Sequence, residues 1–246
     1  MDAVTIAYGL VCILGAAFVR GYSGFGFSLL AVTALSLRLA PAEIVPSIFM
    51  MEIAASLHLL PSIWREVHWR SIGMLLIGYT VAVPLGVWLL ASMPQAPMKI
   101  ALGLAVLVST LLLMRGFALR RMPGPSATLA TGGASGLLNG AFGIGGPPVI
   151  LFFFSSPAGY AIGRASIIAF FLATDAIGLI FLAREALVTQ ESLVRALIFL
   201  PALIAGIWLG AHSFKHSDQA SFRKWVLRLL ALLALLTFAQ GVAGLL

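Results

Sequence analysis

Glu52 and Asp175 are the two acids that fall well inside long apolar runs, ten residues after Ala42 and fourteen after Ala161. A carboxyl group in a membrane interior faces a cavity or a neighbouring helix, and it can carry a proton near neutral pH. The pair reads as proton-coupling groups, or as partners that fix two helices, Glu52 with Arg20 for instance. Arg20 stands between two apolar runs, just before the cluster Gly21-Tyr22-Ser23-Gly24-Phe25-Gly26-Phe27-Ser28. It either snorkels to an interface or binds an oxyanion such as a sulfonate or carboxylate through two parallel hydrogen bonds. Asn139 takes the matching place in the second half. Arg164, which opens the eighth apolar segment, reads as a cytoplasmic anchor or a second anion contact.

A second glycine-rich stretch covers residues 132–148, GGASGLLNGAFGIGGPP, with seven glycines and two prolines in seventeen positions. Each glycine costs a helix interior roughly 1 kcal/mol and each proline about 3. Gly132, Gly136 and Gly140, four apart, suit a helix packed closely on another. The denser Phe142-Gly143-Ile144-Gly145-Gly146-Pro147-Pro148 predicts an irregular break followed by a new helix, because proline suits a first turn. In a membrane such a break survives only where protein or a water-filled cavity satisfies its backbone. Helix N-termini beginning there, at Ser28 and Pro147, would favour an anion.

The elements that must position these residues are membrane helices. Of 246 residues, 61% are hydrophobic and 9% charged, and the mean hydropathy is +1.08. A soluble domain carries about 25% charged residues, so the pattern predicts an all-α polytopic membrane protein in contact with lipid. The first run starts at Ala3 after Asp2 without a basic flank, and reads as a membrane segment and not a cleaved signal. The net charge of +7 does not point to nucleic acid, because the basic residues are scattered between apolar runs and suit orientation in the bilayer.

Ten segments are expected: roughly 3–19, 25–37, 42–62, 71–92, 98–117, 127–142, 147–157, 161–183, 192–211 and 221–245. The second and seventh are short for a span, which takes about 20 residues. An offset near 119 superposes Gly140, Gly143 and Gly145 on Gly21, Gly24 and Gly26, Arg184-Glu185 on Arg65-Glu66, and Ser166 on Ser47. One residue further, Gly206-Ile207-Trp208-Leu209 falls on Gly86-Val87-Trp88-Leu89. The expected organisation is a repeat over 1–119, a cytoplasmic linker over 120–126 and a second repeat over 127–246. Five segments per repeat, an odd number, would invert the second half.

Basic residues weigh on that topology. If the first two segments of each half go in and come back, Arg65, Arg70, Arg115, Arg120, Arg121, Arg164, Lys215, Arg223 and Lys224 share one face, against Arg38, Lys99, Arg184 and Arg195 on the other. Treating each pair as one broken span divides them seven to six. The first arrangement fits the positive-inside rule and sets both termini outside, in the periplasm.

No enzyme is expected. HExxH, a His/Cys cluster and a GxSxG nucleophile are missing, and Ser23 has no adjacent base. His58 reads as a packing or interfacial residue; His68, His212 and His216 fall in turns. Cys12 is the single cysteine, so no internal disulfide and no cysteine metal cluster can form. Neither a strand before the glycines nor a Lys-Ser or Lys-Thr after them supports a nucleotide loop, and no metal or cofactor is expected.

The duplicated glycine motif, the Pro41-Ala42-Glu43 that opens the third segment and Pro201…Gly206-Ile207-Trp208-Leu209-Gly210-Ala211 resemble the TauE/SafE family of sulfite exporters and toluene-sulfonate uptake permeases, from about Gly15 to Leu236. Gly140-Ala141-Phe142-Gly143-Ile144-Gly145-Gly146-Pro147 is the most specific part. The resemblance implies transport of sulfite, sulfoacetate or another organosulfonate across the bacterial inner membrane. Two departures stand out: Pro147 replaces a third glycine, and the first copy, Gly24-Phe25-Gly26-Phe27-Ser28, has no glycine run. Tyr22, Phe25, Phe27 and Phe142 would suit a sulfonate with an apolar tail.

The expected substrate site is therefore Arg20, Ser23, Gly24, Phe25, Gly26, Ser28, Asn139, Phe142, Gly143, Gly145, Gly146 and Pro147, with Glu52 and Asp175 coupling transport to protons. A passive anion channel, or a membrane subunit of a larger complex, would use the same features differently. Homo-oligomerisation is left open by the sequence.

Overall fold

Glycine and proline punctuation sets the helix boundaries in the computed structural model, which describes residues 1–115, 122–213 and 219–245. Ten α-helices lie among these residues: α1 (Ala3–Ser23), α2 (Phe27–Leu35), α3 (Pro41–Ile63), α4 (Trp69–Ser92), α5 (Gln95–Arg115), α6 (Pro125–Phe142), α7 (Gly146–Ser155), α8 (Tyr160–Arg184), α9 (Gln190–Ser213) and α10 (Gln219–Ala243). A short 3-10 turn, Trp64–Glu66, joins α3 to α4, and no strand occurs among the described residues. The protein is all-helical. Part of the expected linker 120–126 lies outside the described residues, as do Arg120, Arg121, Lys215 and His216 and the side chains of His58 and Arg223.

Among the described residues six helices are long and apolar enough to cross a membrane, namely α1, α4, α5, α8, α9 and α10. At about 1.5 Å per residue, α2 with nine residues and α7 with ten reach only about half of a 30 Å hydrocarbon layer. Each follows a long helix across a glycine break. Both long helices end on a left-handed glycine, Gly24 (φ 84°) after α1 and Gly143 (φ 69°) after α6. The Gly24 N–H bonds the Arg20 carbonyl at 2.6 Å and the Gly143 N–H bonds the Asn139 carbonyl at 2.7 Å. This left-handed cap satisfies an orphan carbonyl and turns the chain sharply. Arg20 is consequently inside α1 and not between elements, as the apolar pattern suggested. The irregular backbone shrinks to residues 24–26 and 143–145.

Helix partners are exchanged between the halves. α4 packs most extensively on α6, α1 on α9, α5 on α10 and α3 on α8. When the first five helices are matched with the last five, α1–α9 corresponds to α6–α4, while α3–α8 and α5–α10 correspond to themselves. Two hydrogen bonds follow the same rule. Ser47 on α3 donates to the Ser192 carbonyl at the start of α9 (2.8 Å), and Ser166 on α8 accepts from the His68 N–H at the start of α4 (2.9 Å).

Glycine makes three of these seams backbone-to-backbone, α5–α10 among them, where a Cβ on Gly103 would lie 2.8 Å from the Ala234 carbonyl oxygen. A Cβ on Gly132, Gly136 or Gly140 would lie 2.1, 2.5 or 2.6 Å from the carbonyl oxygen of Leu75, Tyr79 or Val83 on α4. In the α1–α9 seam, Gly21 meets the Ile207 backbone and Gly210 that of Phe18. The four-residue glycine spacing is thus a helix-packing face. On the outside, Ile77, Val81, Leu85 and Trp88 of α4 form an exposed apolar stripe, with Trp208 of α9 in the corresponding place. A lipid solvent accepts such a surface. Fully buried Phe27, Phe49, Phe153 and Phe170 bring α2, α3, α7 and α8 together in the core.

Candidate functional site

The residue four before each capping glycine turns inward to an acid on a central helix. Arg20, 2% exposed, forms an ion pair through Nη1 with Glu52 of α3, which is 1% exposed. Its Nη2 donates to Ser56 Oγ at 2.8 Å, and its Nε has no hydrogen-bond partner among the described residues. The Ser28 hydroxyl donates to the other Glu52 oxygen at 2.6 Å. One carboxylate thereby ties α1, α2 and α3 together. Arg20 does not snorkel to the surface. Paired burial is what makes a guanidinium tolerable at this depth.

In the second half Asn139 does the equivalent work without a charge. Its Nδ2 donates to Asp175 Oδ1 of α8 at 3.1 Å and to the Tyr79 hydroxyl of α4 at 3.0 Å. Its Oδ1 accepts from the Gly145 N–H at 3.0 Å, which closes the break. Ser135 Oγ donates to the Gly145 carbonyl at 2.7 Å, and the Tyr79 hydroxyl donates to the Thr174 carbonyl at 2.8 Å. Asp175 is 4% exposed and lies on α8, which packs on the helix α3 that carries Glu52. Arg20, Glu52 and Asp175 form one electrostatic unit with one positive and two potentially negative members.

Beside this unit lies a cavity of about 520 Å³. Of the expected substrate residues, Ser23, Phe25, Gly26, Ser28, Gly146 and Pro147 line it. Arg20, Gly24, Asn139, Phe142, Gly143 and Gly145 are not part of that lining; Arg20, Asn139, Gly143 and Gly145 are buried behind it, with Glu52 and Asp175. The remaining wall is mostly apolar, with Phe153, Phe154 and Phe171 prominent and the Phe25 and Phe154 ring centroids 5.4 Å apart. Such a space accommodates an apolar group, with polar contacts confined to a few serines and the breaks.

The two short helices present unequal N-termini to the cavity. The first hydrogen bond at the start of α2 runs from the Leu30 N–H to the Gly26 carbonyl at 3.2 Å, leaving the Phe27, Ser28 and Leu29 N–H groups outside the helix ladder. In α7, Pro147 and Pro148 have no N–H, so only Gly146 and Val149 remain in the equivalent turn. The α2 end is the better anion seat.

Sequence reasoning brought Arg20, Glu52, Asn139 and Asp175 to notice but passed over Tyr79, Ser56 and Ser135. A tyrosine inside an apolar helix wants a partner for its hydroxyl, and that was the available signal for Tyr79. No group of three or more metal-ligating side chains occurs among the described residues.

A protein-family model described as "Sulfite exporter TauE/SafE" matches residues 9–237. A protein from Cupriavidus necator named "Probable sulfite/organosulfonate exporter TauE" is 27% identical over 212 residues, covering 82% of each chain. No solved structure matches. With glycine breaks, multiple membrane helices and a family match over nearly its whole length, the chain belongs to the TauE/SafE sulfite exporter family, a family of membrane transporters and not of enzymes.

Proposed function

We propose that this chain is a proton-coupled secondary transporter that moves a small sulfur-containing anion, sulfite or an organosulfonate such as sulfoacetate, across the bacterial inner membrane. The observation that carries this reading is the cavity at the two glycine breaks, which has helix N-termini at its edge and a buried Arg20–Glu52–Asp175 unit behind it. The substrate class comes from the name of the Cupriavidus necator relative. The anion's head rests against the α2 N-terminus near Ser28, and its remainder faces Phe25 and Phe154.

Coupling follows from charge balance. Fully ionised, the buried unit holds one positive and two negative charges, and an incoming anion adds another negative charge in a poorly hydrated space. A proton on Glu52 or Asp175 offsets it. Protonated Glu52 also loosens its hold on the Ser28 hydroxyl, freeing that cavity-lining group for the substrate. Two repeats, 1–119 and 127–246, inverted about a cytoplasmic linker at 120–126 with both termini in the periplasm, would alternate access. The exchanged helix partners and the Ser47 and Ser166 bonds support that arrangement.

The test is sulfoacetate accumulation by purified protein in proteoliposomes under an imposed pH gradient. Wild-type protein is expected to accumulate it above the equilibrium level, and Asp175→Asn and Glu52→Gln to lose accumulation while retaining exchange. Proton-driven accumulation in both variants would refute the coupling, and simple equilibration by the wild type would make the protein a passive facilitator.

A further inference from the structure

We propose that Arg164 supplies the guanidinium that binds the transported anion, with Arg20 held back in its ion pair. This rests on the anion-transport reading above and adds to it a binding residue outside the cavity lining. Both terminal nitrogens of Arg20 are engaged, Nη1 by Glu52 and Nη2 by Ser56, and Nε has no hydrogen-bond partner among the described residues. Arg164 is half-buried and, among the described residues, has neither an ion pair nor a hydrogen bond. A half-buried guanidinium without a counter-charge in the chain is available to pair with an anion from elsewhere.

Its place identifies which anion. The Arg164 side chain runs across Gly24, where a Cβ would stand 2.7 Å from Nε and 3.2 Å from Cδ. Gly24 lies between Ser23 and Phe25, and both line the cavity. One residue before Arg164, Gly163 packs on Phe153 and Phe154 of the cavity wall, and Gly159, five before it, also lines the cavity. The first turns of α8 therefore close the cavity beside the α1–α2 break, and Arg164 stands at that edge. Gly24 serves two purposes: its left-handed backbone turns the chain, and its missing side chain gives the guanidinium its path.

A planar guanidinium matches two oxygens of a sulfonate or sulfite at once. The same chemistry would serve a lipid phosphate, so the experiment separates the two sources. Initial uptake of sulfoacetate and p-toluenesulfonate is measured across substrate concentrations in proteoliposomes of neutral lipid and of neutral lipid with phosphatidylglycerol. Losing a charge-assisted contact raises KM about tenfold or more. That rise is expected for Arg164→Gln in both lipid mixtures, with a smaller rise for Arg164→Lys, which keeps the charge but not the fork.

A KM for Arg164→Gln within twofold of wild type overturns the proposal. So does a defect that appears only with phosphatidylglycerol, which assigns Arg164 to the lipid. If Arg164→Gln does not fold, Arg164→Lys decides, and a wild-type KM there overturns the proposal. A wild-type protein that moves neither sulfonate nor sulfite sinks the transport reading itself; transport by the wild type with Arg164 variants unaffected sinks only this assignment.

Discussion

Arg20 on α1 and Glu52 on α3 form an ion pair from which solvent is almost entirely excluded, their side chains being 1% and 2% exposed. Between elements so far apart in sequence, this bond holds the first glycine break against the central helix. It also sets the electrostatic state of the cavity's rear wall.

Removing one partner strands the other. Glu52→Gln or Arg20→Gln alone is expected to destabilise the protein by about 3–5 kcal/mol, because each leaves a buried group uncompensated. The double substitution is expected to lose less than the sum of the two. Chemical denaturation of the detergent-solubilised variants checks this, and additivity would show that the pair contributes no coupling.

Adjacent glycines should behave oppositely. A methyl on Gly132 would lie 2.1 Å from the Leu75 carbonyl oxygen, whereas one on Gly133 finds nothing nearer than 3.8 Å. Gly132→Ala is expected to destabilise by about 1–3 kcal/mol through overpacking, and Gly133→Ala to be neutral or to stabilise by up to about 1 kcal/mol through helix propensity. Thermal unfolding of the two variants side by side measures the contrast.

The aromatic wall should select substrate tails. Phe25→Ala is expected to raise KM for p-toluenesulfonate by about tenfold, since truncating a buried aromatic contact removes 1–2 kcal/mol or more. Sulfite, with no tail, should keep its KM within about twofold. Competition of each anion against labelled sulfoacetate reads both values.

Much of the architecture is legible in the order of apolar runs and breaks along the chain. Ten apolar runs became ten helices, because glycine and proline penalties act locally and the runs between them had nowhere to go but into helices. Ends were harder: α1 runs to Ser23, past the predicted limit at 19, since Arg20 finds Glu52 and Gly21 finds the Ile207 backbone. Those partners are far away in sequence. For the same reason Glu52 and Asp175 stood out as acids in apolar runs, whereas Tyr79, Ser56 and Ser135 looked like ordinary helix residues until α4 met α6 and α3 met α1. Arg164 shows the limit most clearly. Its place at the opening of the eighth segment follows from the chain, but its course over Gly24 depends on how the start of α8 meets the α1–α2 break.

The glycine seams have a mechanical consequence. Where α4 meets α6, and α1 meets α9, main chain touches main chain and no layer of side chains is left to re-sort itself. Such joints are expected to act as welds, each pair moving as a single rod. The rearrangement that the proposed transport requires is expected where side chains and not main chain meet, along α3 and α8, the two helices that carry Glu52 and Asp175. The parts that bend and the parts that hold the charge are then the same.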